Sequence, residues 1–299
     1  MTFPLAETED QYDAVAEDEQ ALRPAVDALC RHLGIDGAVE RFAEGSLPVY
    51  AVGDGHVLKL FPAVHLAEVP TERDVLLAVQ HRLPVPTPEL YAAGEFGGWG
   101  YVHMERLHGA SLKDVWPGLG DDGRREIARQ VGEALAALHL VAPPAAEPAD
   151  WAEFVATQRR NCVARQEGRG LDPRWLEQVP DFLAGVDLGD PELVLAHTEV
   201  TSAHLLVRDG KLSGLFDFEP AMRAAREYEF VATGVFLTRG DADANAALRR
   251  GYGRDVDPRK VMAYTLLHVY SHLAWYLREV PTAATTLDGL AEHWFGPTG

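Results

Sequence analysis

The chain has 299 residues, 47% hydrophobic and 24% charged, which is the make-up of an ordinary globular protein with room for two modest lobes and no more. Its 27 Lys and Arg against 46 Asp and Glu leave a formal net charge of -19, which argues against the basic footprint of a nucleic-acid partner and suits a cationic small substrate or simply high solubility. No apolar run reaches membrane-span length, the start MTFPLAETEDQYD is neither basic nor apolar, and Cys30 and Cys162 stand too far apart for a metal or redox motif; no membrane partner, a cytoplasmic setting and reduced thiols are therefore expected.

In chain order, residues 1–20 carry Glu7, Glu9, Asp10, Asp13, Glu17, Asp18 and Glu19 and read as a solvated, frayed segment. Leu22, Val26, Leu29 and Leu33 then recur at helical spacing over 20–33, with Gly34 as the stop. A strand meander follows at 38–43, 49–52 and 56–61, joined by Glu44-Gly45-Ser46-Leu47-Pro48 and the tight turn Gly53-Asp54-Gly55. Lys59 lies inside the apolar run VLKLF, and a lysine on a covered strand face needs an anionic partner. A helix over 71–80, with Thr71 as N-cap, offers Glu72 in its first turn, while Glu68 is close enough in sequence to compete. Strands at 90–96 and 100–107 flank Gly97-Gly98, and YVHMERLHGASL reads as the boundary between a strand-rich lobe over 1–107 and a helical lobe over 108–299.

The second part begins with a long helix over 124–139 that stops at Pro143-Pro144, then a proline-punctuated helical insert over 143–191 with helices at 151–167 and, capped by Asp172-Pro173, at 173–186. Further helices are expected at 227–237, 242–252 and 258–280; on the last, His268 and His272 have i, i+4 spacing but no third ligand, so they read as a buried pair rather than a zinc site. Between these helices lies the densest constellation, LAHTEVTSAHLLVRDGKLSGLFDFE at 195–219. His197, Glu199 and His204 follow the run 192–197, the turn Asp209-Gly210 joins two apolar strands, and the second strand, 211–216, delivers Asp217-Phe218-Glu219. Charged groups gathered around one hairpin form the geometry expected of a metal-phosphate site.

Over residues 38–280 this pattern resembles the aminoglycoside phosphotransferase family of the protein-kinase-like fold, in layout most like the hygromycin phosphotransferases. The family's catalytic loop H-G-D-x-x-x-x-N is matched in spacing by HTEVTSAH, and its metal-binding D-F/W-x by DFE. The resemblance implies an α+β, two-lobed fold with a strand-rich N-lobe and a mainly helical C-lobe. It also implies Lys59 on the phosphates of ATP or GTP, Glu72 as its ion-pair partner, and Gly45 and Ser46 over the triphosphate. The carbonyl of Glu105 and the N–H of Leu107 would meet the purine edge beside Met104, and Asp217 would hold Mg2+, with Mn2+ as the alternative. Two identities differ. Glu199 stands at the position of the catalytic aspartate and is the candidate base, whereas His204 replaces a metal-binding asparagine, so it either binds a softer metal or holds the loop, with Glu219 as the compensating carboxylate. REYEFVA is similar to the family's G-D-x-x-Y-D-L-A element, with Glu229 at the acidic position and Arg226 in place of its aspartate; His197 is read as a loop support and Phe218 as packing.

The expected function is phosphoryl transfer to a hydroxyl of a small-molecule acceptor, an aminoglycoside-like natural product, with Asp150, Glu153 and Glu227 as candidate contacts for a cationic acceptor. A degenerate nucleotide- or metabolite-binding protein and a kinase of choline, homoserine or a sugar amine are the alternatives.

Overall fold

Five strands, β1 (Val39–Arg41), β2 (Val49–Val52), β3 (His56–Phe61), β4 (Leu90–Phe96) and β5 (Trp99–Glu105), form an antiparallel sheet in the order β1-β2-β3-β5-β4. The computed structural model describes residues 2–144 and 150–296; residues 145–149, near the start of the expected insert, and 297–299, at the end of the expected helical lobe, lie outside them, as does residue 1. β3 is central, and its second half is buried at Leu58, Lys59, Leu60 and Phe61 alike, so both of its faces are covered. The helix Val69–Val79 packs against β4 and β5 and begins with Glu68 at the N-cap and Pro70 in the first turn, so Thr71 lies inside the helix and is not its cap. Proline suits that place because its fixed φ is already helical and its missing N–H would have no partner there.

The acidic N-terminal segment is docked, not frayed. Thr8 caps a short helix, Glu9–Asp13, the Phe3 ring stacks on Trp99 at 5.0 Å, and Trp99 Nε1 donates to the Pro4 carbonyl at 2.9 Å. Charge dominates that stretch by count, but Phe3, Ala6 and Tyr12 are the residues that become buried.

Beyond the sheet the chain is mainly helical. Asp121–Leu138 lies against Ala242–Tyr252, and the approach is close because Gly132 and Gly251 carry no side chain: a Cβ on either would fall on the backbone of the other helix, at Leu248 and Arg129 respectively. The helix Trp151–Gly168 follows the Asp150 cap. The helix expected at 173–186 is two, Pro173–Leu176 and Val179–Ala184, with Pro180 in the first turn of the second. That expected at 227–237 is an α-helix, Arg226–Ala232, continued by a wider π turn, Thr233–Thr238.

The long helix expected at 258–280 is also broken, into Pro258–Leu267 and Leu273–Glu279. His268 ends the first in an extended conformation and His272 caps the second, so the two histidines do not share a helix face. Gln166, fully buried on another helix, sustains the break: its Nε2 donates to Ser271 Oγ at 2.7 Å and its Oε1 accepts from the Leu273 N–H at 3.0 Å. Such a tertiary partner satisfies backbone groups that an unbroken helix would have paired internally. A last helix, Leu287–Phe295, had no counterpart in the pattern reading.

Two small ladders sit between the sheet and the helices. β6 (Ala110–Ser111), β8 (Leu205–Arg208) and β9 (Lys211–Leu215) form one, and β7 (Leu193–Ala196) with β10 (Met222–Ala225) forms the other. The β8–β9 turn places Asp209 and Gly210 at φ 53° and 73°, as a tight two-residue hairpin turn requires.

Candidate active site

Lys59 projects from β3 into the space between the sheet and the β8–β9 hairpin and is only 3% exposed. Its Nζ donates to Glu72 Oε2 at 3.1 Å, to Asp217 Oδ1 at 2.5 Å and to Glu219 Oε2. Glu68 does not compete, since it pairs with His65 at 2.9 Å. Burial favours loss of the Lys59 proton, but Glu72, Asp217 and Glu219 outweigh it and hold the ammonium charged to well above its usual range. Burial also works against the Asp217 carboxylate, and there Lys59 and then His204 prevail and hold the group below its usual value. At Glu219 burial wins, aided by the negative charge of Asp217 and Glu72 and opposed by Lys59, and the carboxyl is pushed up to about 9. Three carboxylates around one ammonium are two more than its charge balances, and Glu219 is the one whose proton is held most firmly.

Asp217 adopts φ +77°, a left-handed backbone unusual for a residue with a Cβ. Its two oxygens offset that strain, Oδ1 on Lys59 and Oδ2 on His204 Nε2 at 3.0 Å. The other ring nitrogen of His204, Nδ1, donates to the Glu199 carbonyl at 2.7 Å. Both partners are oxygens, so each ring nitrogen of His204 faces an acceptor. His204 thus ties the loop carrying Glu199 to the carboxylate that faces Lys59.

The rest of the loop is held from behind. Thr198 is at φ +69°, a rare conformation for a β-branched residue. Its N–H and that of His197 donate to the two oxygens of Glu229 at 3.2 and 2.6 Å, and its Oγ1 donates to the Pro220 carbonyl at 3.1 Å. His197 is fully buried; its Nε2 donates to the Phe216 carbonyl at 3.0 Å and its Nδ1 accepts from the Glu199 N–H at 3.4 Å, and burial holds its pKa down. The Phe218 ring packs on that imidazole with centroids 4.8 Å apart. Glu229 belongs to the REYEFVA element, and its place as anchor of the loop was not part of the site read from sequence; only the acidic identity signalled it.

The Glu199 side chain makes no hydrogen bond or ion pair among the described residues and lines a cavity of about 160 Å³. Burial raises its pKa, against the pull of His204 and with the push of Asp217. The other predicted residues lie in the N-terminal sheet and the segments next to its strands. Met104 is buried on β5 opposite Val57 of β3, and the Leu107 N–H makes no hydrogen bond among the described residues, whereas the Glu105 N–H is taken by the Glu89 carbonyl at 2.8 Å. Gly45, at φ +126°, and Ser46 lie in the β1–β2 loop, which is tied down by Tyr12 Oη on the Ser46 carbonyl and by Glu44 with Lys113 at 2.8 Å.

Asp150, Glu153 and Glu227 are already engaged. Asp150 caps its helix through the N–H groups of Ala152 and Glu153, Glu153 pairs with Arg160 at 2.8 Å, and the buried Glu227 pairs with Arg226 at 3.2 Å. None of them lines the cavity at Glu199.

Oxygen atoms of Glu72, Asp217 and Glu219 lie within 4.8 Å of one another, and Glu72 Oε1 is buried with no partner. An all-carboxylate set with spare acceptors fits a hard divalent cation such as Mg2+. His204 is outside that set and has both ring nitrogens turned to oxygens of the protein.

The profile of the phosphotransferase enzyme family matches residues 38–264. No curated protein matches the chain by sequence. Among solved structures, the GDP complex of wild-type aminoglycoside 2'-phosphotransferase-IIIa is 18% identical with a TM-score of 0.69, covering 88% of this chain and 97% of that one. A thermostable mutant of aminoglycoside phosphotransferase APH(4)-Ia, in ternary complex with ADP and hygromycin B, is 17% identical with a TM-score of 0.63 over 89% and 97% of the two chains. Macrolide 2'-phosphotransferase MphH from Brachybacterium faecium is 20% identical with a TM-score of 0.62 over 92% and 99%. The fold is therefore the two-lobed, protein-kinase-like α+β fold of these phosphotransferases.

Proposed function

The chain belongs to the phosphotransferase enzyme family, and from that premise we propose that it transfers the γ-phosphoryl group of ATP or GTP to a hydroxyl of a small molecule held against Glu199. One observation carries the reading: Lys59, Asp217 and Glu219 meet at one point, and His204 connects that point to the loop bearing Glu199. The lobes 1–107 and 108–299 are proposed as the two halves that enclose the nucleotide, with Gly45 and Ser46 above the phosphates and Met104, Glu105 and Leu107 along the purine. The free Leu107 N–H fits that part.

In this reading Lys59 leaves Asp217 and Glu219 for the phosphate oxygens and keeps Glu72, its partner of lowest exposure. Asp217 and Glu219 would hold Mg2+, which would supply charge neutralisation on the phosphates. Glu199 orients the acceptor hydroxyl and takes its proton as the hydroxyl oxygen bonds the γ-phosphorus; the bond from that phosphorus to the bridging oxygen breaks and the nucleoside diphosphate leaves. The upward shift of Glu199 suits it to this exchange, because a base works best with a pKa near the working pH.

Melting curves with ATP or GTP and Mg2+ or Mn2+ test the nucleotide site, and mass measurement of hydroxylated acceptors after incubation tests transfer. A melting temperature unmoved by any combination would overturn the reading. A nucleotide shift without phosphate on any acceptor would select the second reading, a binding protein without transfer, which the altered positions Glu199 and His204 favour.

A further inference from the structure

The wall of the cavity at Glu199 is chemically unlike the Lys59 cleft. Val231, Ala232, Phe236 and Tyr276 supply apolar and aromatic surface, and Phe236 meets Tyr276 edge to face at 5.7 Å. The π turn Thr233–Thr238 brings Phe236 to the wall, and the break between Pro258–Leu267 and Leu273–Glu279 brings Tyr270 and His268. His268 is 5% exposed and stacks on Tyr228 with centroids 4.7 Å apart. Its Nδ1 accepts the Tyr270 N–H at 3.3 Å, which places the ring proton on Nε2. The Thr198 backbone acts on the ring as a hydrogen-bond acceptor, but at a geometry short of a full bond, so the buried Nε2 is at best weakly paired among the described residues. A buried donor left weakly paired is costly, and a ligand oxygen in the cavity would satisfy it.

Charge around the cavity narrows the ligand. Glu199 is the one carboxylate in the wall, and the half-buried Arg165 guanidinium, bonded to the Leu266 carbonyl at 2.9 Å, stands close enough to act on His268, Tyr228 and Tyr276. An ammonium would face an N–H donor and a nearby guanidinium with one carboxylate in return. About 160 Å³ is the size of a single six-membered ring, since a cavity of about 150 Å³ accommodates benzene.

Resting on the phosphotransferase reading, we propose that this cavity is the acceptor subsite and that it takes an uncharged, hydroxylated ring, whose apolar face lies on Phe236 and Tyr276 while one oxygen accepts from His268 Nε2 and the reacting hydroxyl meets Glu199. The acceptor class is a neutral ring alcohol, and polyamines are poor ligands. His268 is a positioning residue that fixes the ring and exchanges no proton with it.

The test uses the full chain with phenyl β-glucoside and cyclohexane-1,2-diol as neutral probes and kanamycin and choline as cationic ones, with binding followed by saturation-transfer NMR and calorimetry. The neutral probes should bind at least tenfold more tightly than the cationic ones. His268→Phe keeps the ring and its stacking, and should weaken the neutral probes about three- to tenfold. Ala232→Met, which fills the cavity, should abolish their binding. In both variants the melting shift with ATP or GTP reports folding and should equal that of the unaltered chain. Tighter binding of the cationic probes, or neutral-probe binding unmoved in both variants, overturns the inference while leaving the nucleotide reading standing. Absence of any nucleotide shift overturns that reading, whereas the probe series tests the cavity by itself.

Discussion

The two sides of the 197–204 loop differ as sharply as any two regions of this molecule. On one side a buried ammonium is crowded by three carboxylates, two of them beyond what its charge balances. On the other, Phe236, Tyr270 and Tyr276 surround a single-ring space with one weakly paired donor. In the proposed function the first region would give up its internal partners to something with many anionic oxygens and a dication. The second is the cavity proposed to take something neutral. Glu199 stands between them, so on the proposed reading the loop would separate a charged reactant from an uncharged one.

The largest break in this contrast should come from Lys59→Met. It leaves Glu72, Asp217 and Glu219 facing one another, and we expect at least about a thousandfold loss of phosphoryl transfer with a stability loss of about 3 kcal/mol at neutral pH, measured by urea unfolding. That penalty should shrink near pH 4, where the freed carboxylates take up protons. Next, Glu199→Gln should lower kcat about a hundred- to a thousandfold while nucleotide-induced melting shifts stay as they were; an unchanged kcat would remove Glu199 from the reaction.

The aromatic side has its own pH signature. Burial lowers His268 to about 4 from 6.5, so between those values the unfolded chain binds a proton that the folded chain does not. Its stabilising contribution is complete above about pH 6.5 and falls as pH drops towards 4, by up to about 3 kcal/mol. His268→Phe should flatten urea-derived stability over that window, leaving the parts due to His103, which burial beside His56 also lowers to about 4, and to His197 and His272, which burial lowers too. The smallest effect is expected from Glu229→Gln. A glutamine offers one acceptor and one clashing NH2 to the His197 and Thr198 N–H groups, costing about 1 to 2 kcal/mol. Because that anchor serves the whole loop, kcat and neutral-probe binding should fall together.

Several features were legible before any coordinates. The helix Ala242–Tyr252 has the bounds its pattern gave, the Asp209-Gly210 turn is where two apolar runs demanded it, and the two-lobed fold follows from strands giving way to helices near residue 107. Each depends on neighbours within a few residues, through backbone torsions and the period of apolar side chains. Lys59 inside VLKLF also announced a need for anions, because a charge within an apolar strand has to be answered by another.

What the pattern could not carry was set by distant partners. The apolar period runs on through 268–272, and the partners that satisfy a helix break there, Gln166, Arg165 and Arg169, stand about a hundred residues earlier in the chain. The N-terminal charges looked decisive until Phe3 found Trp99. Asp150, Glu153 and Glu227 seemed available to a cation, but each has a partner close by. Sequence by itself determined where most elements lie, the fold class and the spacing of the loop, but not where the helices at 173–186 and 258–280 break. The tertiary structure decided which charges are spent, which donor is left weakly paired and what surrounds Glu199, because burial and pairing depend on contacts between residues far apart in the chain.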